Sequence, residues 1–336
     1  MKKSVLTSAI VLALSASAAY AGDIIQIDPD AAGVDPTLSV GTLDWNPGNA
    51  ISIGVGSPAL AQVGTVFQTY AHASLGTFID GNGNSIGGLN LNGPTAATNY
   101  EWTYVAGFQE VIASITGAVP TGTQTFQTVD SAIYGGENFF KIYYDATPDS
   151  NNLTGDNFDD GILILEGTIL PFDIVSGNGA SSFTTTGGCT VSIAGLACGN
   201  FDAFGTNNYP LIDSPSGIGS SLLAIDVISA DPNFFLAGLD ILFLDFDTQQ
   251  NLPYGQQNPS ACFTDDLGGQ VNGAGGQGTT CTNSVGPING VSGPNIMFLT
   301  DGSAAFTAAV PEPATLALLG LGLVGLGLSR RRKNPA

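Results

Sequence analysis

Residues 139–145 are Phe139-Phe140-Lys141-Ile142-Tyr143-Tyr144-Asp145. Apolar side chains occupy every second position from Phe140 to Tyr144, and this period of two predicts a half-buried β-strand. The same period recurs from Leu223 to Val227. Two further runs, 162–165 and 239–246, are more continuously apolar, which is typical of central strands covered on both faces.

Helix signals are scarce between residues 22 and 309, because Lys, Arg and Glu are rare and few windows repeat apolar residues every three to four positions. Turn-forming dipeptides are frequent instead. The sequence therefore predicts an all-β fold, an antiparallel β-sandwich that is jelly-roll-like and has roughly 10 to 14 strands. The turn dipeptides are Asp80-Gly81, Asp160-Gly161, Asn178-Gly179, Asn289-Gly290 and Asp301-Gly302.

The charge of the chain is distributed very unevenly. Six of the seven basic residues lie at positions 2, 3 and 330–333, so residues 22–309 contain Lys141 alone against 27 acidic residues, a formal charge of −26. Nucleic acid is effectively excluded as a partner, because binding phosphates requires Lys and Arg. A body this acidic repels itself, stays soluble and attracts cations.

Four cysteines lie in this acidic segment, and in an oxidising compartment an even number predicts two disulfides. Three connectivities are possible, and pairing of nearest neighbours closes two local loops. A zinc site is disfavoured, since the chain has no Cys-x-x-Cys pair and His72 is distant in sequence. Residues 248–295 are rich in Gln, Asn, Gly and Pro, so we expect a long surface excursion that disulfide bonding pins. The cysteines are Cys189, Cys198, Cys262 and Cys281.

The sequence favours a protein without catalytic activity. His72 is the only histidine, no Gly-x-Ser-x-Gly motif is present, and a lone histidine in a strand-like context is typical of a structural residue. Glycoside hydrolysis needs a pair of carboxylates, and the segment contains so many acidic residues that such pairs are expected by chance. A solvated acidic surface is the simpler interpretation. These carboxylates include Asp159, Asp160, Glu166, Asp240, Asp245 and Asp247.

Two loops are candidates for calcium binding, the one cofactor that the sequence suggests. Oxygen-bearing side chains alternate at Asp80, Asn82 and Asn84, and a second loop brings together three carboxylates. Neither completes an EF-hand, because Ser85 stands at the position of the turn glycine and Phe158 interrupts the second loop. Ordinary turns are the alternative. The second loop contributes Asp156, Asp159 and Asp160.

Aromatic residues cluster in the predicted strands and allow two interpretations. They can form a face on which sugars stack, or they can belong to the core, which is the more common role of aromatic residues in strands. The residues are Trp102, Tyr104, Phe139, Phe140, Tyr143 and Tyr144.

The first 21 residues have the organisation of a signal peptide. Lys2 and Lys3 precede an apolar run from Val5 to Leu14, and small residues end at Ala21, so we expect cleavage before Gly22. The domain boundaries predicted are therefore a signal peptide at 1–21, an exported acidic domain at 22–309 and a tail at 310–336.

The tail has three parts. Pro311-Glu312-Pro313 is followed by an uncharged apolar run from Ala314 to Leu328, and then by Arg330, Arg331, Arg332 and Lys333. The run is short for a permanent membrane anchor, and the basic residues favour the cytoplasmic side. An ordinary anchor that is never cut is the alternative to a processing signal.

This order and spacing resemble the PEP-CTERM sorting signal of Gram-negative bacteria. The resemblance implies recognition by an exosortase, removal of the tail near the motif after export across the inner membrane, and an association with exopolysaccharide production. Residues 60–170 resemble, less specifically, PEP-CTERM proteins associated with flocculation. That second resemblance rests on stretches such as 67–71, 101–105 and 138–145.

The first hypothesis is therefore an exported structural or adhesive protein of flocs or biofilm, with exopolysaccharide or a neighbouring cell surface as partner. The second is a carbohydrate- or calcium-binding surface module. A secreted polysaccharide hydrolase is the third.

Overall fold

A computed structural model describes residues 23–56, 61–93, 98–117, 122–187, 216–248, 259–276, 281–288 and 294–308. The regular structure of these residues is almost entirely β-strand. A short helix, α1 (Ser131–Tyr134), begins after Asp130, whose carboxylate accepts a hydrogen bond from the Ala132 N–H. The strands are β1 (Ile25–Ile27), β2 (Leu38–Val40), β3 (Thr42–Ile53), β4 (Val66–Ile79), β5 (Glu101–Thr116), β6 (Gly122–Thr128), β7 (Phe139–Asp145), β8 (Ile162–Ile169), β9 (Ala180–Gly187), β10 (Ser216–Ala230), β11 (Leu239–Thr248), β12 (Cys262–Thr264), β13 (Gln270–Asn272) and β14 (Ile296–Ala308).

Ten strands form one antiparallel sheet that closes on itself. The order β10-β11-β14-β3-β4-β5 makes one continuous layer. The long strand β5 pairs with β7 through its first half and with β6 through its second half. Strand β10 likewise pairs with β9 and then with β8. The pairs β7–β8 and β6–β9 therefore complete the opposite layer at different heights along the strands.

This architecture confirms the predicted all-β class and antiparallel sandwich. The two layers face each other across one core, and the fourteen strands of the described residues are at the upper end of the predicted number. Each strand of the large sheet has a neighbour on both sides. Among the described residues, no strand of this sheet has one side that is unpaired along its whole length, which limits the edge to which another chain could add.

The alternation in β7 and β10 is confirmed, because Phe140, Ile142, Leu223 and Ile225 are all buried in the main core. The two continuous apolar runs are not covered on both faces as predicted. In β8, Ile162 is 60% exposed and Leu163 is 40% exposed. In β11, buried side chains alternate with partly buried ones from Ile241 to Phe246, and Asp240 is exposed. The outer faces of these strands carry no covering layer in the described structure, so apolar content alone overestimated their burial.

The main core is aromatic and lies between the two layers. Trp102 is fully buried, and its Nε1 donates a hydrogen bond to the Pro29 carbonyl oxygen. The β1–β2 hairpin and residues 234–235 pack against Trp102, so this hairpin covers one end of the closed sheet.

The turns predicted at the five dipeptides are confirmed only in part. Turns occur at Asp80-Gly81 and Asn178-Gly179, and a bend at Asp160-Gly161 precedes β8. The prediction is wrong for Asp301-Gly302, which lies inside β14 at a β-bulge. A Cβ on Gly302 would lie 3.0 Å from the Phe246 ring, so glycine serves close packing there. Asn289-Gly290 lies outside the described residues.

The described part of the 248–295 excursion packs on the outer face of β3, β4 and β5. Its short hairpin β12–β13 carries Phe263, which is buried with Ile51, Ile288 and Met297 in a second small core. Cys262 and Cys281 form a disulfide, in agreement with the pairing of nearest neighbours. Cys189 and Cys198 lie outside the described residues. The excursion is therefore a covering layer with its own core, where the sequence predicted only a surface loop.

Candidate functional site

The interface between the excursion and the sheet is built around His72. The ring lies between Phe158, at a centroid distance of 4.0 Å, and Phe263, at 4.7 Å, and stacks on both. Its Nε2 is 2.9 Å from Ser260 Oγ, which donates to the Asn152 carbonyl oxygen. Both His72 and Ser260 are completely buried. Burial lowers the pKa of His72 to about 3, so the ring is neutral over the physiological range.

A serine and a histidine at hydrogen-bonding distance resemble part of a catalytic triad, but no substrate can reach this pair as it is packed. Among the described residues, His72 Nδ1 has no hydrogen-bond partner, so no carboxylate orients the ring. Asn49 of β3 lies opposite His72 of β4 and is also fully buried. Its side-chain amide forms no hydrogen bond with any described residue. The geometry is that of a packed polar contact between two layers.

Lys141 attaches the excursion to the sheet at a second point. Its Nζ is 2.8 Å from Asp266 Oδ1 and 3.9 Å from Glu166 Oε1, and only 11% of its side chain is exposed. The ammonium group also lies 5.6 Å from the centroid of the Phe139 ring. The single basic residue of the acidic segment thus has a structural role at this interface.

An acidic cleft opens beside this interface, with a volume of about 450 Å³. The second predicted calcium loop lines it, and the structure adds Asp149 to that loop's three aspartates. Burial and then the Asp145 and Asp149 carboxylates raise the pKa of Asp160. The acidic residues that line the cleft are Asp149, Asp156, Asp159 and Asp160.

Next to the cleft, carboxylate oxygens of Glu101, Asp145 and Asp149 all lie within 4.8 Å of one another. Glu101 is 3% exposed and accepts hydrogen bonds from the backbone N–H groups of Asp149 and Ser150. Burial is the main reason that its pKa is raised. Sequence reasoning missed this group, because pairing of β5 with β7 brings together residues that are far apart in the chain.

The first predicted calcium loop has a different geometry. Asp80 Oδ1 accepts hydrogen bonds at 2.8 Å from the backbone N–H groups of Asn82 and Asn84. These bonds lower the pKa of the Asp80 carboxyl. The carboxylate closes its own turn, which is the ordinary role of aspartate in such loops. Calcium at Asp80, Asn82 and Asn84 stays a prediction.

The clustered aromatic residues are divided between core and surface. Trp102, Tyr104, Phe139 and Phe140 are buried, while Tyr143 and Tyr144 are half-buried. Tyr144 stacks on Tyr100 with a centroid distance of 5.6 Å. The four buried rings are not available to a sugar, so the core interpretation holds for them.

A second cavity, the inner cavity, lies between the two layers and escaped sequence reasoning altogether. It has a volume of about 70 Å³, and Glu110 of β5 is the acidic residue in its lining. The sequence did hold one signal for this cavity. Thr69 and Glu110 are polar residues at positions of β4 and β5 whose side chains face the interior, where apolar residues are expected.

The sorting motif is supported by comparison with known families. A family model described as the PEP-CTERM protein-sorting motif matches residues 309–333, which include Pro311, Glu312, Pro313 and the four basic residues. No curated protein and no solved structure matches the chain. The resemblance of the body to flocculation-associated proteins therefore stays a prediction. The signal peptide and the tail lie outside the described residues, and no helix of the part described is long and apolar enough to cross a membrane.

Proposed function

We propose that this chain is exported and processed by an exosortase at its PEP-CTERM sorting motif, and that its body acts outside the cell as a structural or adhesive component of flocs or biofilm. The observation that carries the proposal is the sorting motif at residues 309–333. In this proposal the host is a Gram-negative bacterium, the signal peptide ends at Ala21, and the processed chain reaches the cell surface or the extracellular matrix.

Physical properties of the body support a matrix role. The 27 acidic residues of the segment 22–309 face a single lysine, and that lysine is engaged with Asp266. Such a surface stays soluble and attracts counter-cations, which suits a hydrated polysaccharide matrix. In the described residues every strand of the closed sheet pairs on both sides for at least part of its length, which disfavours edge-to-edge aggregation outside the cell.

Deletion of the gene in its host tests the adhesive role. We expect the deletion strain to form weaker flocs or thinner biofilm, and complementation with the wild-type gene should restore cohesion. The measurements are settling rate and biofilm mass at equal growth. Unchanged aggregation in the deletion strain would contradict the proposal.

The acidic cleft favours a second candidate function, calcium binding. Four aspartates line one cleft. Burial, and then the Asp145 and Asp149 carboxylates, raise the pKa of Asp160, and a divalent cation bound nearby would favour the ionised carboxylates. Calcium accepts carboxylate and carbonyl oxygens in flexible geometry, which a loop of this kind supplies.

Thermal unfolding with and without calcium tests this candidate. We expect millimolar calcium to raise the Tm of the wild type, since a ligand that binds only the folded state stabilises it. The D159N/D160N variant should lose most of that rise, whereas D226N, at an exposed position on β10, should keep it. An equal rise in all three proteins would show a nonspecific ionic effect and reject the site. Calorimetry with host exopolysaccharide, with and without calcium, separates sugar binding from metal binding.

A further inference from the structure

The inner cavity lies toward the end of the closed sheet away from the β1–β2 hairpin. Along β5, Trp102 contacts the segment that follows the hairpin's first strand, and Glu110 lies eight positions further on, at the cavity. Strands of both layers contribute to the lining, so the cavity is an interior space between them. Its volume of about 70 Å³ gives room for about five water-sized groups.

The lining is dominated by aromatic rings. Six phenylalanines from six different strands surround the space, and one pair of them, Phe67 and Phe126, packs edge to face at 5.4 Å. The ring faces of phenylalanine carry partial negative charge, which attracts cations. The six are Phe67, Phe108, Phe126, Phe183, Phe246 and Phe298.

Glu110 supplies a carboxyl group in this aromatic space. Its Oε1 accepts a hydrogen bond of 2.7 Å from Ser181 Oγ, and its Oε2 accepts one of 3.3 Å from Thr69 Oγ1. Both hydroxyls are themselves bonded onward, to Ser221 and Ser52 respectively. The hydroxyl network therefore holds the carboxyl in one position.

Within the part of the chain that the structure describes, no basic side chain balances Glu110. It is the one titratable side chain among the described residues that line the cavity, and Lys141, the single basic residue of the segment 22–309, is paired with Asp266. Burial raises the pKa of Glu110 to about 7. One polar atom of the lining, Thr300 Oγ1, forms no hydrogen bond of standard geometry with any described residue, although the Tyr104 hydroxyl is near it.

We propose that the inner cavity binds a small organic ammonium ion, with the Glu110 carboxylate facing the charge and the phenylalanine rings surrounding the alkyl groups. Pockets that combine apolar walls with a few convergent polar groups are typical ligand sites. Aromatic walls with one carboxylate are suited to alkylated ammonium groups in particular. A metal ion fits poorly, because calcium requires six or more oxygen ligands and most of this lining is apolar.

Isothermal calorimetry on the full chain with its disulfide intact tests the proposal. The probes are choline and 3,3-dimethylbutan-1-ol, which has the same shape but carries carbon in place of the charged nitrogen. We expect choline to bind at least about tenfold more tightly at pH 8, since interactions of a desolvated cation with aromatic rings and a carboxylate exceed the energy of a tenfold change. Choline binding should weaken as the pH falls through about 7, because protonation neutralises Glu110.

Two variants make the result specific. Glu110→Gln keeps the shape and the hydrogen-bonding capacity of the side chain, so the fold should persist while the preference for choline and its pH dependence disappear. Glu166→Gln, on the outer face of β8 near Lys141, should keep both. Equal affinity of the wild type for both probes would show a purely apolar pocket and overturn the proposal. Absence of choline binding at millimolar concentration, or unchanged choline binding by the Glu110→Gln variant, would overturn it as well.

Discussion

At the scale of the residue, the buried His72 lies where the excursion packs on the sheet. His72 is fully buried between two phenylalanine rings and bonded to Ser260, so its protonation would place an uncompensated charge in an apolar interface. The folded state therefore holds the ring neutral, with its pKa lowered to about 3 by burial. An unfolded histidine has a pKa of about 6.5.

From this difference we predict a pH-dependent contribution to stability. Because the pKa of His72 is lower in the folded state, its contribution is fully present above about pH 6.5 and is lost progressively as the pH falls toward 3. Between pH 7 and pH 5 the loss is about 2 kcal/mol. The variant His72→Phe keeps the stacking and should lose this dependence.

Urea unfolding at pH 7 and pH 5 measures the difference for both proteins. Glu110 acts in the opposite direction, because its raised pKa favours the folded state at low pH, but this contribution is common to both proteins and cancels. His72 is the only histidine, so no second imidazole complicates the comparison. Equal pH dependence in the two proteins would mean that the ring is not buried as described.

At the scale of the elements, the excursion is the part that the disulfide stabilises most directly. Cys262 and Cys281 are separated by 19 residues, and closure of such a loop contributes about 3 kcal/mol in the chain-entropy model. The rest of its attachment is local, through Phe263, Ser260 and Lys141. The closed sheet does not depend on these contacts, since its own strands pair around the full circle.

We therefore expect the C262A/C281A variant to lose the excursion's protection while the sheet stays folded. Limited proteolysis followed by mass spectrometry should show faster cleavage within residues 259–288 and an intact main fragment. The C189A/C198A variant serves as the control and should leave cleavage within 259–288 unchanged. Equal cleavage rates in wild type and C262A/C281A would show that packing alone holds the excursion.

Prediction from sequence succeeded where the signal is local. Alternation in β7 identified a strand, and the paired cysteines identified a closed loop. Closure of the sheet was beyond reach, because it depends on the pairing of β14 with β3, two strands near opposite ends of the described residues. The same limit applies to the candidate sites. Asp159 and Asp160 were visible as a cluster, whereas Glu101 joins Asp149 only through folding, and Glu110 looks like any other acidic residue in a strand.

At the scale of the whole molecule, the body and the tail have opposite chemistry. The segment 22–309 has a formal charge of −26 and a closed sheet, whereas the matched motif at 309–333 combines Pro-Glu-Pro, an uncharged apolar run and basic residues. The apolar run contains Gly320, Gly322, Gly325 and Gly327, each of which costs helix stability. A short run of this kind holds a chain weakly, which is compatible with a segment that is removed.

The most direct test of this account replaces Pro311, Glu312 and Pro313 by alanine in a host that contains an exosortase. The substitution leaves the hydrophobicity of the tail nearly unchanged, so a simple anchor would behave as before, while an exosortase substrate should accumulate uncut in the membrane fraction. The measurement is the intact mass and the cell fraction of both proteins. The account predicts a wild type that has lost its tail and left the membrane fraction, and a variant that keeps its full tail there; identical mass and fractionation of the two proteins would contradict it.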